Sequence, residues 1–466
     1  MQKIRKTKII ATLGPSSSSK EIIKSFIDLG VDIFRLNFSH GTYDEYTELI
    51  KTIRLVKSNM PIMADLKGAE IRTIVKNTSG IILKQNNDIE LVFNEDAVTD
   101  NNFSVNYNKT SQISKKNNHI MIDDGNIDLI INEVRDKSLI LTPLKDGVLR
   151  DRKGTHFIGM DVPFPILTQT DKKDIEYAIS QNVDFIAASM IKSEKEIYAI
   201  RGLLPENIKL TAKIEHPQAL SNIEGIIEAS DIILVARGDL GVEMPITEVP
   251  TAQKIIVSAA QKKGKPVIIA TQLLDSMMNN PRPTRAEVSD IANAIYEKVD
   301  ALMLTGESAA GKYPVEAIKY LCETVDNAEK SIDYKKHKDT VLVDKEDSSE
   351  AISFAAIDAA YSLKARAILC FTSSGSTALR AAKFRPEIPI IGITQNEDVA
   401  RQLSIVFGII PLKSEFYSNT DEMIDSAKEL LMGKGMAEKD DTFIITAGVP
   451  AGIAGNTNML KIIKIE

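Results

Sequence analysis

Short apolar runs alternate with longer segments of helical periodicity along most of this 466-residue chain. Eight of these runs are predicted as barrel strands, at residues 8–14, 32–38, 61–66, 184–190, 209–214, 231–236, 266–271 and 301–305. Neighbouring parallel strands need a helical crossover between them, and the segments after most of these runs have that pattern. Eight such units predict an α/β protein built on a closed (β/α)8 TIM barrel rather than an open doubly wound sheet.

Residues 69–163 interrupt this alternation between the third and fourth predicted strands. They contain five short alternating runs, which are predicted as strands at residues 81–83, 89–93, 119–122, 127–131 and 138–142. Turn signals such as Asp123-Asp124-Gly125 divide these runs. A structureless loop of this length is uncommon in a compact protein, so we predict an inserted all-β domain. Because it leaves the barrel from the C-terminal end of a strand, we expect it to act as a lid over the catalytic face. The barrel itself then takes residues 1–68 and 164–335.

A polar, charge-rich segment at residues 331–350 is predicted as a linker. Beyond it the alternation resumes, with strands expected at residues 367–372, 389–394, 408–412, 442–447 and 459–465. Residues 345–466 are therefore predicted to form a separate C-terminal α/β domain.

Composition excludes several classes of protein. The 57 basic and 64 acidic side chains give a net charge of −7, which argues against nucleic-acid binding through bulk charge. No apolar run approaches the roughly 18–20 residues that cross a bilayer, so no membrane association is expected. Cys322 and Cys370 lie in apolar stretches and exclude a disulfide framework. We expect a soluble, cytoplasmic protein.

Charged and hydroxyl residues follow six of the eight predicted barrel strands. The carboxyl ends of these strands converge on one mouth, where the active sites of such barrels lie. The polar strand ends are residues 35–41, 65–72, 213–215, 237–241, 271–272 and 305–308. Their convergence predicts an active site.

These residues suit the chemistry of anionic substrates. Glu215 and Asp239 supply hard oxygen ligands for Mg²⁺ or Mn²⁺, whereas no histidines or cysteines have the spacing of a zinc site. The cations expected at the same mouth are Arg35, Arg72, Lys213 and Arg237. Paired carboxylates also occur in glycoside hydrolases, but the excess of cations favours phosphoryl transfer.

The sequence resembles the pyruvate kinase family over its whole length, in the bacterial type without an extra C-terminal phosphotransfer domain. The most specific stretches are RLNFSHG at 35–41, KIE at 213–215, ARGDLG at 236–241, ATQLL at 270–274, NPRPTRAEVSD at 280–290 and LTGESA at 304–309. The resemblance implies transfer of a phosphoryl group from phosphoenolpyruvate to ADP, giving pyruvate and ATP in the final step of glycolysis. It also implies dependence on Mg²⁺ (or Mn²⁺) and K⁺.

The matched motifs carry catalytic roles with them. By this resemblance Glu215 and Asp239 would bind Mg²⁺, Arg35 would hold the substrate phosphate, and Lys213 would stabilise the developing enolate charge. The amides around Gly238 and Asp239, with the hydroxyl of Thr271, would hold the substrate carboxylate. Thr271 and Thr305 would belong to the relay that protonates the enolate carbon.

The resemblance also implies cation and nucleotide sites. The residues that would surround K⁺ are Asn37, Ser39, Asp65 and the carbonyl of Leu66. An acidic residue at Glu70 accompanies K⁺ dependence in the family, whereas a lysine there supplies the charge itself. The residues that would reach the nucleotide are Asn37, His40, Arg72 and Lys153.

A phosphorylated effector is expected in the C-terminal domain. The strand at 367–372 runs into a hydroxyl-rich loop that opens a helix, which is a common anion site. In the family this loop binds the effector phosphate, and its residues here are Thr372, Ser373, Ser374, Gly375, Ser376 and Thr377. Residues 448–457 would face it, and the effector would be a sugar phosphate or AMP. The resemblance further implies a homotetramer.

The chain departs from the family pattern where the lid joins the barrel. Ala69 and Ile74 stand where proline and glycine are usual, and residues 152–159 retain Lys153 but lack the usual Asn-Leu-Pro. These departures affect the expected motion of the lid more than the chemistry, because no metal ligand is lost.

Other interpretations stay open on the sequence. A barrel enzyme that makes or breaks C–C bonds of pyruvate or phosphoenolpyruvate would share the metal carboxylates but would not need the lid or the effector loop. A catalytically silent metabolite sensor would not need Lys213. Lys213 could also serve only to pair with Glu215, His40 could be a structural histidine, and Asp123-Asp124-Gly125 could be a plain turn.

Overall fold

A computed structural model describes residues 5–107, 109–160, 162–338, 341, 343–344, 346–415, 417, 419–449 and 456–466. Its strands, in chain order, are β1 (Lys8–Leu13), β2 (Ile33–Asn37), β3 (Ile62–Asp65), β4 (Thr73–Ile74), β5 (Ile81–Leu83), β6 (Ile89–Val92), β7 (Asn102–Val105), β8 (His119–Ile122), β9 (Ile127–Val134), β10 (Ser138–Pro143), β11 (Gly147–Leu149), β12 (Thr155–Phe157), β13 (Phe185–Ala188), β14 (Lys209–Ile214), β15 (Ile232–Ala236), β16 (Val267–Ala270), β17 (Ala301–Leu304), β18 (Ala367–Phe371), β19 (Ile390–Thr394), β20 (Ile409–Lys413), β21 (Thr442–Ala447) and β22 (Met459–Lys464).

The helices alternate with these strands outside the insertion. In chain order they are α1 (Lys20–Asp28), α2 (Tyr43–Val56), α3 (Thr110–Ile113), α4 (Gln169–Ser180), α5 (Glu194–Arg201), α6 (Pro217–Ser221), α7 (Ile223–Ala229), α8 (Arg237–Glu243), α9 (Val249–Lys262), α10 (Arg285–Tyr296), α11 (Gly306–Ala309), α12 (Pro314–Glu329), α13 (Tyr334–Lys338), α14 (Ser348–Ser362), α15 (Ser376–Lys383), α16 (Glu397–Leu403) and α17 (Thr420–Gly433). Single 3₁₀ turns lie at Glu95–Ala97, Ile246–Glu248 and Asp275–Met278.

Eight parallel strands close into a barrel in the order β1-β17-β16-β15-β14-β13-β3-β2. The closure is made by β1, which pairs with β17 on one side and β2 on the other. Each of the eight strands lies within one of the predicted runs, so the predicted barrel is confirmed. The runs were predictable because strands covered on both faces are almost continuously apolar.

Helix boundaries follow local capping chemistry. Thr42 and Glu45 form a capping box at the start of α2, and Thr284 and Glu287 form another at the start of α10. These reciprocal bonds satisfy backbone N–H groups that the first turn of a helix leaves without partners. The helix α2 therefore begins directly after the polar end of β2 at residues 35–41, and that end stays at the mouth.

The described part of the insertion contains two sheets, in which most neighbouring strands pair antiparallel. The larger has seven strands in the order β12-β8-β9-β10-β6-β7-β4, and β11 pairs with β5 in the smaller. The five strands predicted there are found, but four others were not predicted, namely β4, β7, β11 and β12. These strands have two to four residues each, too few to show an alternating pattern. The prediction of purely β structure is corrected by the four-residue helix α3.

The C-terminal sheet has the order β20-β19-β18-β21-β22, with β22 antiparallel to β21. Its five strands were predicted. The predicted linker at 331–350 is partly helical, because α13 lies inside it and α14 begins at Ser348. Asp347 caps α14 by accepting from the backbone N–H groups of Ser349 and Glu350, which extends the helix into the polar segment.

The described residues contain no helix with the length and apolar character needed to cross a membrane. Cys322 and Cys370 are both buried free thiols, which confirms that they form no disulfide with each other. Burial raises the pKa of the Cys322 thiol to about 11.

A buried ion pair joins the segment between α15 and β19 to the N-terminal end of the barrel. Both terminal nitrogens of Arg385 donate to the carboxylate of Asp300, at 2.6 and 2.5 Å. The same carboxylate accepts from the backbone N–H groups of Val267 and Phe407. Asp300 directly precedes β17, so the pair fixes the C-terminal part of the chain on the side opposite the polar strand ends.

We predict that Asp300→Asn destabilises the protein by about 3–5 kcal/mol, because the substitution leaves the Arg385 charge buried without its partner. The measurement is the shift of the urea midpoint at constant slope. The matched control is Asp28→Asn, which breaks the exposed Lys24–Asp28 pair and is expected to cost less than about 1 kcal/mol. Equal midpoints for the two variants would contradict this role of Asp300.

Candidate active site

A cleft of about 1670 Å³ opens at the C-terminal end of the barrel, between the polar strand ends and the insertion. Its lining brings together the residues predicted for catalysis and for the nucleotide, which are Arg35, Asn37, His40, Arg72, Lys153, Lys213, Glu215, Gly238, Asp239, Thr271 and Thr305. The lining also includes Ser39 and Glu70. Residues from the barrel and from the insertion therefore share one cavity.

Lys213 lies at this mouth with its side chain 12% exposed. Its Nζ lies 2.8 Å from Glu215 Oε1 and 3.1 Å from Asp65 Oδ1, and it donates to Ser189 Oγ at 2.8 Å. Burial acts to lower the pKa of Lys213, but the charges of Asp65 and Glu215 raise it above its usual value. Lys213 is therefore a fixed cation, and its pairing goes beyond the single contact with Glu215 that the sequence left open.

Arg35 is the second buried cation at the mouth. Its Nε donates to Asp65 Oδ2 at 2.7 Å and one terminal nitrogen donates to Thr12 Oγ1 at 3.0 Å. Burial acts to raise the pKa of Asp65, but Arg35 and Lys213 hold it below its usual value. Asp65 thus orients two cations toward the same cavity.

The two predicted metal carboxylates converge from neighbouring strands. Glu215 follows β14, and its Oε2 accepts from the backbone N–H of Met190 at 2.6 Å. Asp239 lies in the first turn of α8, directly after β15. Burial and the nearby charge of Glu215 raise the pKa of the Asp239 carboxyl. Two carboxylates that repel each other in a buried site provide a place for a divalent cation.

Among the residues that the structure describes, no three or more histidine, cysteine, aspartate and glutamate side chains cluster so that they could hold a metal. This finding fits the chemistry of Mg²⁺, which commonly takes one or two carboxylates and completes its shell with water and substrate oxygens. It does not fit a zinc site, which needs three or four protein ligands.

Thr271 occupies a strained position at the end of β16. Thr271 and Gln272 have φ values of 67° and 54°, in the left-handed region that β-branched residues rarely adopt. The Thr271 hydroxyl accepts from the Gly238 backbone N–H at 2.6 Å and donates to the Ala270 carbonyl at 2.6 Å. Two of the groups predicted to hold the substrate carboxylate, the Gly238 backbone N–H and the Thr271 hydroxyl, are therefore in direct contact.

Arg237 does not face the mouth as the sequence predicted. It is buried, and its guanidinium donates to the carbonyls of Thr271 and Gln272 and to Asp290 Oδ2. Arg237 therefore stabilises the strained residues Thr271 and Gln272 from outside the cavity. The direction of its side chain follows from α8, which begins at Arg237 and turns this residue away from the cavity.

Thr305 directly follows β17, which is the neighbour of β16 in the barrel. Its backbone N–H donates to Glu307 Oε2 at 2.9 Å, and its hydroxyl lies 3.3 Å from the same oxygen. Glu307 is buried and also accepts from the backbone N–H of Leu274. The carboxylate holds the two strand ends together.

The predicted K⁺ ligands lie at the ends of β2 and β3. Asn37 Oδ1 accepts from the backbone N–H of Ser39 at 3.2 Å, and the Leu66 carbonyl accepts from Ser189 Oγ at 2.8 Å. Ser189 was not assigned a role from the sequence. It connects Leu66 to Lys213, and only the parallel pairing of β13 with β3 brings it there.

The cations predicted for the nucleotide are paired in this structure. Arg72 lies 2.6 Å from Glu70, and Lys153 Nζ donates to Asp123 Oδ1 at 2.7 Å. Asp123 and Asp124 both have positive φ, so the Asp123-Asp124-Gly125 segment is a turn that also lines the cleft.

The structure contains a contact between the insertion and the barrel that the sequence did not predict. The Nδ1 atom of His156, in β12, lies 2.6 Å from Oε1 of Glu243, the last residue of α8. The two residues are 87 positions apart, so no local pattern in the sequence could indicate it.

The predicted effector loop follows β18. Gly375 has a φ of 92° and caps α15, and its backbone N–H donates to Thr372 Oγ1. The hydroxyls of Thr377 and Thr457 are 2.9 Å apart, which joins the loop to the end of the chain. Most of the predicted facing segment, residues 450–455, lies outside the described residues.

Comparison with known proteins identifies the family. The profile described as "Pyruvate kinase, barrel domain" matches residues 4–318, and "Pyruvate kinase, alpha/beta domain" matches residues 350–463. The chain belongs to the pyruvate kinase family. A pyruvate kinase of Clostridium acetobutylicum is 40% identical over 99% of this chain and 100% of the relative. A pyruvate kinase of Staphylococcus aureus strain MRSA252 is 42% identical over 98% of this chain and 80% of the relative.

Membership of this family makes the protein a metal-dependent phosphotransferase of glycolysis, with phosphoenolpyruvate and ADP as substrates. The closed parallel barrel and the C-terminal α/β sheet agree with the two family profiles.

Proposed function

We propose that the cleft transfers the phosphoryl group of phosphoenolpyruvate to ADP with the residue roles given below. The observation that carries this assignment is the Lys213 ammonium, held between Asp65 and Glu215 and accompanied by Arg35 in one cavity. Two fixed cations beside two converging carboxylates match a reaction in which positioning and charge neutralisation supply most of the catalysis.

Arg35 and Lys213 act on the phosphate end of phosphoenolpyruvate. Asp65 fixes both cations, so their charges need no reorganisation when negative charge develops on the enolate oxygen. The nearby carboxylates raise the pKa of Lys213, so we assign it as a protonated side chain when substrate binds. Its role is therefore electrostatic, and it does not serve as the proton donor.

Glu215 and Asp239 are the residues that would hold Mg²⁺ or Mn²⁺, and their hard oxygen donors and mutual repulsion fit that ion. A bound divalent ion would neutralise charge on the transferring phosphoryl group. Met190 orients Glu215 through its backbone N–H, and α8 sets the position of Asp239.

The carboxylate of phosphoenolpyruvate would bind at the start of α8. The backbone N–H groups of Gly238 and Asp239 and the hydroxyl of Thr271 form an anion site there. After the O–P bond breaks, the enolate carbon must take up a proton. Thr271 and Thr305 lie at adjacent strand ends, and we assign their hydroxyls to the relay that delivers it.

Arg72 and Lys153 would bind the ADP phosphates, alongside Asn37 and His40. In binding they would exchange the carboxylates of Glu70 and Asp123 for phosphate oxygens. Asn37, Ser39, Asp65 and the Leu66 carbonyl would hold K⁺, and one carboxylate with three neutral oxygens suits a monovalent ion.

The C-terminal loop at 372–377 would bind the phosphate of a sugar phosphate or AMP. The domain limits 1–68 with 164–335, 69–163 and 345–466, a cytoplasmic location and a homotetrameric state are also part of this proposal. Sedimentation velocity measures the oligomeric state.

We predict that Lys213→Met lowers kcat for pyruvate formation by on the order of 10²–10³-fold, because it removes a fixed charge at the developing enolate. Binding of phosphoenolpyruvate, measured by calorimetry with Mg²⁺, is expected to change far less. The matched control is Lys209→Met at the other end of β14, which should leave kcat within about twofold. A near-normal rate in Lys213→Met would remove Lys213 from this role.

We predict that Glu70→Lys weakens activation by K⁺, because the new ammonium supplies positive charge beside the nucleotide cations. Activity is titrated with KCl while a large organic cation keeps the ionic strength constant. Glu176→Lys, an exposed change on α4, serves as the control for added charge. The same K⁺ dependence in both variants would refute the assignment.

We predict that Ser374→Asp abolishes the response to a phosphorylated effector, because its charge repels phosphate at the start of α15. A panel of sugar phosphates and AMP is screened for a shift of the phosphoenolpyruvate saturation curve, and the active compound is retested on the variant. Asn396→Asp adds the same charge at the start of α16 and should retain the response. Retention of the shift in Ser374→Asp would argue against this loop as the effector site.

A further inference from the structure

A polar link joins the insertion to the catalytic face of the barrel. His156 in β12 and Glu243 at the end of α8 are 2.6 Å apart, and their side chains are 19% and 8% exposed. Both residues line the cleft. A hydrogen bond with this degree of burial constrains the two elements more than a solvent-exposed pair would.

The His156–Glu243 link lies between the two halves of the proposed site. His156 follows Lys153 by three residues, and Lys153 is the cation from the insertion that we assign to the nucleotide. Glu243 follows Asp239 by four residues, which is about one turn of the same helix. Movement of β12 away from α8 would therefore carry Lys153 away from the metal carboxylates.

The charges around His156 are mostly negative. Glu243 contacts it directly, and Asp239 and Asp124 face it from α8 and from the β8–β9 turn. His216 also approaches the carboxylate, with its Nε2 3.7 Å from Glu243 Oε2. Burial acts to lower the pKa of His156, but the hydrogen bond and charge of Glu243 raise it above its usual value.

We infer that His156 is a positioning residue that holds the lid strand β12 against α8 and thereby sets where Lys153 meets the nucleoside diphosphate. The inference rests on the proposed function for the identity of that ligand. The link itself is a property of the chain, and the ligand is not needed to test it.

The pH dependence of the link follows from the direction of the pKa shift. The raised pKa means that docking of β12 favours the protonated imidazole. The extra stabilisation is complete below the pKa of the free imidazole, about 6.5, and is lost as pH rises through the raised value. The neutral imidazole can still donate to Glu243, so the link weakens without disappearing.

The test compares His156→Leu with His119→Gln. His119 forms a similar pair with Asp128 at 2.8 Å, but both residues belong to the insertion, so this control changes a histidine–aspartate pair that does not reach the barrel. We expect His156→Leu to raise the KM for ADP about threefold to tenfold at pH 6, as loss of a charge-assisted hydrogen bond implies. The values of kcat and of the KM for phosphoenolpyruvate should stay within about twofold.

The ratio of the two ADP KM values, His156→Leu over wild type, should fall as pH rises to 9. Taking the ratio removes the ionisation of ADP itself, which is the same for both proteins. A ratio near one at every pH would overturn the inference. A uniform loss of kcat with no pH trend would indicate a merely structural role and would overturn it equally.

Hydrogen–deuterium exchange separates failure of this inference from failure of the proposed function. With no substrate present, the amides of β12 should exchange faster in His156→Leu than in wild type, relative to β10 of the same sheet. If His156→Leu does not fold, the wild-type exchange of β12 relative to β10 is compared at pH 6 and 8.5 after correction for intrinsic rates. Unchanged protection of β12 would overturn the link even in an active enzyme, whereas absent turnover with the expected exchange would count only against the proposed function.

Discussion

The buried ammonium of Lys213 is the interaction on which the arrangement of the mouth depends. An unpaired charge in such a site would cost several kcal/mol, so carboxylates must come to it from several strands. Asp65 arrives from β3 and Glu215 from β14, and Asp65 also holds Arg35. Two cations and two carboxylates balance, which leaves Asp239 as surplus negative charge. Burial and the nearby charge of Glu215 raise the pKa of Asp239. This surplus charge suits the divalent cation that we propose there.

Backbone strain at the mouth is supported from outside the cavity. Thr271 and Gln272 both lie in the left-handed region, and their carbonyls accept from the buried guanidinium of Arg237. Asp290 in α10 fixes Arg237 in turn. Strain of this kind persists only where surrounding contacts determine it, and here it places the Thr271 hydroxyl beside the start of α8. The position of the proposed proton relay therefore depends on Arg237 and Asp290, which lie outside the cavity.

The two attachments to the barrel differ in strength in a way that suits different roles. The C-terminal part is held by an apolar cluster shared with the barrel and by the buried Arg385–Asp300 pair. The insertion has its own apolar cluster, and one of its contacts with the barrel is the partly exposed His156–Glu243 link. A partly exposed polar contact opens at lower cost than a buried ion pair, which suits the lid role that we propose for the insertion.

The sequence by itself determined the barrel and most of the residues at its mouth. Strands covered on both faces are apolar runs, and the polar residues that end them, such as Lys213, Glu215 and Thr271, converge in any closed parallel barrel. Only the tertiary structure decided where Arg237 points, that Ser189 connects Leu66 to Lys213, and that His156 meets Glu243. The short strands β4, β7, β11 and β12 could not be predicted from the sequence either. Hydrophobic periodicity indicates the type of helix or strand to which a residue belongs. These features depend instead on which distant elements pack together, and no local sequence pattern indicates that pairing.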